Sequence, residues 1–193
     1  MLKKLSFLFI VFGAVLVGWS GFEIWQSKQA QESALKEAQA LVKQEQAFTA
    51  AEEKVTLESF QPVKGETIGI LHIPALGAEL PIVEGTNPDE LAKGVGHYAS
   101  SAFPKQHDQI VLSGHRDTVF RKMGDLKIGD TVTVELPYGS FTYIIENTEI
   151  VDADDTTVIR STAPEEVLTL TTCYPFSYVG NAPKRYILYA KRN

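Results

Sequence analysis

An uncharged run near the N-terminus constrains this chain most, because it has the length and composition of a membrane-spanning helix. The run extends from Leu5 to Phe22, behind the short basic segment Met1–Lys4. At 1.5 Å per residue a helix of this length measures about 27 Å, and Ile24 and Trp25 extend it to about the thickness of a bilayer core. The tryptophans at its end suit an interfacial belt better than a signal-peptidase site, so the sequence favours an uncleaved anchor over a cleaved signal.

The charges that precede this run predict its orientation. Lys3 and Lys4 should stay inside the cell by the positive-inside rule, which leaves everything after Trp25 outside. We therefore expect residues 1–25 to form a cytoplasmic tail and a single transmembrane anchor in the cell membrane. The rest of the chain is expected to be extracellular.

Residues 26–59 predict a helical spacer. The segment is rich in Ala, Gln, Glu and Lys and lacks Gly and Pro, and a fully helical form would extend roughly 50 Å from the membrane. Its apolar residues make only a weak stripe: Ala34, Ala38, Leu41, Val42 and Phe48. A heptad-driven dimer is the less favoured alternative, because large residues do not recur at two positions in seven.

From residue 60 to 193 the sequence predicts an all-β barrel or sandwich with short helices. Strand-like runs cover residues 67–74, 79–84, 109–113, 130–136, 140–146, 167–173 and 185–190, and their spacing suggests a barrel or sandwich of about eight short strands. One short helix should follow the cap residue Asn87, from Pro88 to Ala92. The formal charge of −6 argues against nucleic acid as a partner.

Cys173 is the only cysteine, and it ends the uncharged strand that begins at Val167. A lone cysteine outside the cell suggests intermolecular pairing or a reactive nucleophile, whereas the alternative is a small buried residue that packs the core. A thiol with an ordinary pKa of about 8.5 is mostly protonated at neutral pH. Chemistry at Cys173 would therefore need a nearby base or a positive charge.

Four histidines compete for the role of that base. His115 follows the buried run Ile110–Leu112 through Ser113 and Gly114, which would present its ring at the rim of a rigid strand. His97 lies among glycines and could line a groove, although a turn histidine is an equal reading. His72 is expected to be a structural ring within a strand, and His107 to be solvated in a polar loop.

Arg185 is the candidate cation. It opens the last strand, twelve positions after Cys173, across a loop that contains Pro175, Gly180 and Pro183. If the two strands are neighbours, the end of one and the start of the other meet at the same edge of the sheet. A guanidinium there could stabilise an oxyanion, and otherwise it would be an exposed cation at a strand end.

These residues resemble the sortase family of Gram-positive bacteria. The family signature is a TLxTC strand with an upstream His and a downstream Arg, and it matches Thr169–Cys173, His115 and Arg185. The stretches Ile70–Leu76, Leu80–Gly85 and Gly96–Tyr98 also look like the family's early strands and substrate-side loop. The resemblance covers about residues 66 to 190 and implies an eight-stranded sortase β-barrel. In its size and N-terminal anchor the chain resembles class D, with class E next, class A third and class C less similar.

The resemblance also implies a membrane-anchored cysteine transpeptidase. Cys173 would attack the Thr carbonyl of an LPxTG-like signal on a surface protein, His115 would supply a proton to the departing amine, and Arg185 would hold the oxyanion. An amine of a cell-wall precursor would then resolve the thioester. His97 and Thr172 are expected substrate-binding residues, although the Thr172 hydroxyl could equally be strand packing.

Two other functions compete with this prediction: a cysteine protease that only hydrolyses, and a non-catalytic binding domain tethered to the membrane. No cofactor and no metal are expected, because the histidines do not fall at ligand spacing. Asp117 is left out of the predicted site because the family does not require a third residue there. No acidic cluster stands out that would be assigned to calcium.

Overall fold

The computed structural model describes the backbone of residues 2–47, 55–178 and 180–192, and the side chains of residues 9–44, 55–178 and 180–192. Part of the expected spacer, residues 48–54 with Phe48, lies outside these ranges. Helix α1 covers Leu2–Ala47 without interruption, so the expected anchor and most of the expected spacer form one helix. Residues 55–59 are not helical.

Within the described residues, eight strands close into a barrel, which confirms the predicted fold class. The strands are β1 (Thr67–Ile73), β2 (Ala78–Glu84), β3 (Val95–His97), β4 (Gln109–Ser113), β5 (Thr131–Leu136), β6 (Gly139–Asp152), β7 (Val167–Tyr174) and β8 (Lys184–Arg192). Around the barrel they follow the order β1-β2-β3-β4-β7-β8-β6-β5. Parallel pairs join β2 to β3 and β4 to β7, and the other pairs are antiparallel.

The barrel interior holds one apolar core. Each strand from β1 to β8 contributes its inward-facing side chains to this core. Alternation is clearest in β5, where Val132, Val134 and Leu136 are buried and the residues between them are half-buried. Strand β7 is buried almost throughout, consistent with its position between two other strands. This burial makes β7 a rigid support for the residue at its end.

The sequence predictions for individual strands agree with the structure to within about two residues, with two differences. Strand β6 continues to Asp152, six residues beyond the predicted end, because its second half pairs with β8. The short strand β3 has no counterpart among the predicted strands, because the glycines around His97 favour a turn or a loop that lines a groove. Gly96 is required there because a Cβ would lie 2.4 Å from the carbonyl oxygen of Gly85.

The predicted short helix is present as α2, Pro88–Lys93. The carboxylate of Glu90 accepts a hydrogen bond of 2.9 Å from the backbone N–H of Asn87, which closes the first turn of the helix. Glu90 is buried despite its charge, and this bond accounts for part of its placement.

The expected spacer does not stand clear of the barrel. Ala34, Ala38 and Val42 are buried, and the last two pack with Ile70 on the outer face of β1. The Thr67 hydroxyl donates to the carboxylate of Glu37 at 2.9 Å, which adds a polar tie between helix and barrel. Small residues repeated every four positions let the helix approach the strand closely, so the weak apolar stripe is a docking face.

Candidate active site

Strand β7 lies between β8 and β4, and the register of the antiparallel pair brings two predicted site residues together. Cys173 is the cross-strand partner of Arg185, so their Cα atoms are about 5 Å apart. Both side chains are half-buried at the end of the barrel where β7 finishes. The sequence argument that the end of one strand meets the start of the other therefore holds in the fold.

The parallel pair brings the third residue to the same end. Ser113 is the partner of Thr171, and the ladder continues one step further through a 3.1 Å bond from the Gly114 N–H to the Thr171 carbonyl. His115 follows directly and is therefore nearly level with Cys173. Adjacent strands are separated by about 4.8 Å, so the two residues start from neighbouring backbone positions.

A buried hydroxyl stabilises this arrangement. Thr172 donates a 2.7 Å hydrogen bond to the carbonyl oxygen of Gly114 and is only 3% exposed. Of the two roles weighed for Thr172, substrate contact and strand packing, the structure supports packing. Thr172 ties β7 to the residue that precedes His115.

Gly114 itself leaves no room for a side chain. A Cβ at this position would lie 2.6 Å from the Phe120 ring and 2.7 Å from the Val119 side chain. The connection after His115 turns back on itself here, with the Phe120 N–H bonded to the His115 carbonyl at 3.0 Å. The glycine thus allows the following segment to pack under the histidine.

The three side chains differ in their surroundings. His115 is exposed. Arg185 is bonded to its own segment, because its Nη1 donates to the carbonyls of Ala182 at 3.2 Å and Lys184 at 3.0 Å. Within the described part of the chain, no hydrogen bond joins Cys173, His115 and Arg185 to one another. Catalytic hydrogen bonds are often long without substrate, so this geometry is compatible with a joint role.

His97 is not brought to a groove. Its ring is 1% exposed, Nδ1 lies 2.7 Å from a carboxylate oxygen of Glu84, and Nε2 lies 3.1 Å from both the Ala102 carbonyl and the Ser101 hydroxyl. The ring also stacks on Phe103, with centroids 4.2 Å apart. The expected substrate contact therefore has no accessible ring nitrogen, because Nδ1 joins β3 to Glu84 at the end of β2 and Nε2 joins β3 to residues 101 and 102.

The other two histidines are placed as predicted. His72 is half-buried on β1, and its Nε2 lies 2.7 Å from a carboxylate oxygen of Glu135. His107 is exposed in the loop before β4. Neither belongs to the rim that carries Cys173.

Comparison with known proteins identifies the family. The sortase domain matches residues 71–193 of this chain, well over half of its length. The chain belongs to the sortase family. It is 51% identical to Sortase D of Bacillus subtilis (strain 168) over 99% of both chains.

Two solved structures show the same fold. One is a Clostridium perfringens Sortase D5 transpeptidase, which has a TM-score of 0.72 and 26% identity and covers 86% of this chain and 99% of its own. The other is a Clostridium perfringens sortase C, described with the C-terminal cell wall sorting motif, which has a TM-score of 0.64 and 23% identity and covers 86% and 88%. Sortases are cysteine transpeptidases, and this chain is a class D-like member.

Sequence reasoning about this sortase missed Arg116. Its Nη2 donates a 2.9 Å bond to the carbonyl of Gly180, and its guanidinium lies over the Tyr178 ring at 5.8 Å. Among the described residues, its Nη1 is buried without a hydrogen-bond partner. The sequence signal that could identify Arg116 is its position beside His115, because a cation next to the histidine extends from the same rim. Arg116 connects the histidine segment to the loop between β7 and β8.

No cluster of three His, Cys, Asp or Glu side chains that could hold a metal ion is found in the part of the chain that the structure describes. The strand register and the Arg116 contact bring one thiol, one imidazole and two guanidinium groups to the rim. That set provides a nucleophile, a proton carrier and fixed positive charge.

Proposed function

We propose that this sortase cleaves an LPxTG-like sorting signal after Thr through a thioester on Cys173, and transfers the cleaved protein to an amine of the cell wall. The observation that carries the proposal is the strand register, which aligns Cys173 with Arg185 on one side and with the His115 segment on the other. The 51% identity with Bacillus subtilis Sortase D supports a class D activity. A sorting-type substrate is further supported by the sortase C structure described with the sorting motif.

In the first step the Cys173 thiolate attacks the Thr carbonyl carbon of the signal. The negative charge that develops on the carbonyl oxygen is stabilised by Arg185, whose guanidinium keeps donors beyond Nη1 for this purpose. His115 gives a proton to the leaving amine as the C–N bond breaks. The product is a thioester that retains enough energy for a second exchange.

In the second step an acceptor amine attacks the thioester carbonyl. The C–S bond breaks, the electron pair returns to Cys173 as thiolate, and the amine proton passes to His115. A new amide bond forms without ATP. Water can take the place of the amine, in which case the product is a hydrolysed protein.

Membrane anchoring is part of the proposal. The described part of α1 from Phe9 onward is long and apolar enough to cross a membrane, and none of its apolar window is buried in the protein. The exposed Trp19 and Trp25 would lie at the bilayer surface. With Lys3 and Lys4 inside, the barrel would face the exterior, where surface proteins and cell-wall precursors are found.

The test is covalent trapping of the full chain in detergent with an LPxTG-type peptide, followed by mass spectrometry. We expect an acyl adduct on the wild type and none on Cys173→Ala. His115→Ala and Arg185→Ala should lower peptide turnover by roughly 10²–10⁴-fold, the range typical of an acid–base or oxyanion residue. The matched controls His107→Ala and Arg160→Ala change exposed residues away from the rim and should leave turnover unchanged.

If no sorting-type peptide forms an adduct with the wild type, the nucleophile assignment is wrong and a non-catalytic binding domain becomes the better interpretation. An added amine then separates the two enzyme classes. Ligated product is expected with glycine amide as acceptor. Hydrolysis alone at every amine concentration would instead indicate a protease.

A further inference from the structure

Helix α1 joins the apolar segment to the barrel as one stiff element. It is helical without interruption from Leu2 to Ala47. From Phe22, where the uncharged run ends, to Ala47 the sequence contains neither Gly nor Pro, the residues at which helices usually kink. Trp25, which marks the bilayer surface in the proposed anchoring, precedes the buried Ala34 by nine residue steps, about 14 Å along the axis. The distance from the bilayer to the docked part of the helix is therefore fixed.

The docked part of α1 is held by two neighbouring strands. On β1, the Thr67 hydroxyl donates to the Glu37 carboxylate at 2.9 Å, next to the apolar contacts with Ile70 described above. On β2, the Glu79 carboxylate accepts a bond of 3.3 Å from the Gln39 amide. Contacts with two strands resist both a tilt of the helix and a rotation about its axis. The barrel therefore has one orientation relative to α1.

The rim that carries Cys173 lies on the membrane side of this docked part. A groove between α1 and the barrel is lined by helix residues between Glu23 and Gln31 and, on the barrel, by His115. These helix residues extend from about 3 Å below the level of Trp25 to about 9 Å above it, whereas the docked part begins higher on the helix. Since His115 is nearly level with Cys173, the thiol lies roughly 10 Å from the bilayer surface.

This height limits which donor chains reach the thiol while they are still held in the bilayer. An extended chain covers at most about 3.3–3.6 Å per residue, so a rise of roughly 10 Å takes about three residues. A signal with a shorter connection to its own apolar segment reaches Cys173 only if part of that segment leaves the hydrocarbon, which costs free energy. A soluble peptide has no such limit.

We propose that the docking of α1 sets the height of the rim above the bilayer, and that this height selects donor proteins by the number of residues between the scissile bond and their own membrane segment. The requirement applies to a donor that an apolar segment beyond the cleavage site still holds in the bilayer. The inference rests on the proposed function and adds a length requirement to its first substrate.

The test measures cleavage by the full chain reconstituted in vesicles that also contain the donor. Each donor has an LPxTG-type signal joined to an apolar transmembrane segment by a Gly/Ser linker, from no residues to about twelve. A soluble peptide with the same signal is the reference. The measured quantity is the threshold linker, defined as the linker length at which cleavage reaches half of its plateau rate. For the wild type we expect a threshold of about three residues.

Two insertions of the same seven helix-forming residues separate the height of the rim from the length of the chain. Placed between Trp25 and Gln26, the insertion raises the docked part by about 10.5 Å and changes its facing by only about 20°. The threshold linker should then increase by about three residues. Placed after Ala47, beyond the docked part, the same insertion should leave the threshold unchanged. Both variants should cleave the soluble peptide like the wild type.

Loss of docking should remove the effect of the first insertion. Ala38 is fully buried against the barrel, so Ala38→Glu puts a carboxylate into an apolar contact and should release the helix. In this background the insertion after Trp25 should shift the threshold by less than one residue, because a released barrel can approach the bilayer. Ala40→Glu is the matched control at an exposed position of the same helix, and it should keep the full shift.

Each alternative result has a distinct meaning. If the insertion after Trp25 leaves the threshold unchanged, or if both insertions raise it equally, docking does not set the height and the proposal is wrong. A general loss of activity does not move the threshold, because the threshold is taken against each variant's own plateau. If the wild type cleaves the soluble peptide and all membrane-held donors equally, the length requirement alone fails. If it cleaves neither kind of donor, the proposed function itself fails.

Discussion

The loop that leads into β7 and the loop that leaves it are held in place by different chemistry. The upstream loop, residues 153–166, is held by hydrogen bonds to polar side chains near the start of β4, and these side chains are buried or half-buried. The downstream loop, residues 175–183, is held at its described positions by arginines that extend from the rim that carries Cys173. The bonds of the upstream loop keep that loop apart from the site, whereas the bonds of the downstream loop connect that loop to the site.

The residue that holds the upstream loop in place is Gln109, the first residue of β4. Its Nε2 donates to the Val158 carbonyl at 2.8 Å and to the Thr169 hydroxyl at 2.9 Å, and its Oε1 accepts from the Arg160 N–H at 2.8 Å. The side chain is 4% exposed, so every polar atom is used internally. Glu166 anchors the end of the loop by accepting a 2.8 Å bond from the Tyr143 hydroxyl.

The same hydrogen bond changes the pKa of the Tyr143 hydroxyl. Burial and the hydrogen bond to Glu166 raise the pKa of Tyr143 well above its usual range. The phenol therefore keeps its proton at all physiological pH values and remains a hydrogen-bond donor to Glu166.

The downstream loop is more exposed and uses fewer internal bonds. Tyr178 is 46% exposed and packs only against the Arg116 guanidinium among the ring contacts of the described residues. Phe176 is better buried, with ring centroids 5.3 Å from Tyr186 and 5.6 Å from Tyr174. A segment with few buried bonds opens at lower free energy than its neighbours. We therefore expect the described part of the downstream loop to open more readily than the upstream loop.

The largest expected effect is the loss of the upstream loop's polar centre. Gln109→Ala removes three hydrogen bonds and leaves the buried Thr169 hydroxyl without its donor, together with the Val158 carbonyl and the Arg160 N–H, which should lower the free energy of unfolding by about 3 kcal/mol. The measurement is chemical unfolding of the full chain in detergent. The matched control Gln106→Ala removes one exposed bond to the Phe103 N–H and should cost under about 0.5 kcal/mol. Similar losses in the two variants would contradict the distinction between the loops.

The next effect is expected in activity rather than stability. Arg116→Gln removes the cation that bonds the Gly180 carbonyl, so the downstream loop and the His115 segment should lose their common position. We expect kcat for peptide cleavage to fall about tenfold with KM nearly unchanged, and Arg116→Lys to recover part of the loss. Arg160→Gln is the matched control on the upstream loop and should be neutral.

A merely structural Arg116 would give a different pattern. Its removal would then lower the unfolding free energy and the amount of active enzyme, while kcat per active site stayed at the wild-type value. Titration of active sites with a thiol-reactive probe on Cys173 separates the two cases. Unchanged kcat per titrated thiol would remove Arg116 from the positioning role.

The sequence predicts the fold of this sortase better than it predicts the details of its rim. Period-two alternation and turn residues locate seven strands, because those signals come from each strand's own burial. Strand β3 escapes them because only three of its residues pair, and Gly96 is selected by the proximity of Gly85 rather than by strand propensity. The docking of α1 is equally hidden, since small residues make a weak stripe whether or not a strand lies against them.

The sequence locates some of the candidate site residues better than others, and the reason is the same. Cys173, His115 and Arg185 lie at strand ends, so topology alone brings them close, and their catalytic roles stay a proposal. His97 and Thr172 have polar side chains whose partners come from distant segments, namely Glu84 and Gly114. A sequence does not show which carboxylate or carbonyl will fill such a position. Arg116 was missed because its partners lie on the downstream loop, far along the chain.

The smallest expected effect is a dependence of the upstream loop on pH. Hydrogen bonds from the Thr162 and Gln109 N–H groups hold the pKa of Asp108 below its usual value, with a further bond from the Ser161 hydroxyl. A lowered pKa in the folded state means that Asp108 stabilises the fold above the unfolded pKa of about 4, and that this contribution is lost as the pH falls through the lower folded value. The advantage of the wild type over Asp108→Asn in unfolding midpoint should therefore be constant from pH 7 to 5 and shrink below pH 4. Asp154→Asn, an exposed carboxylate on the same loop, is the control. If the unfolding midpoint of the wild type keeps its full advantage over Asp108→Asn down to about pH 2.5, the charge of Asp108 does not hold the loop. The geometry of its hydrogen bonds would then be sufficient.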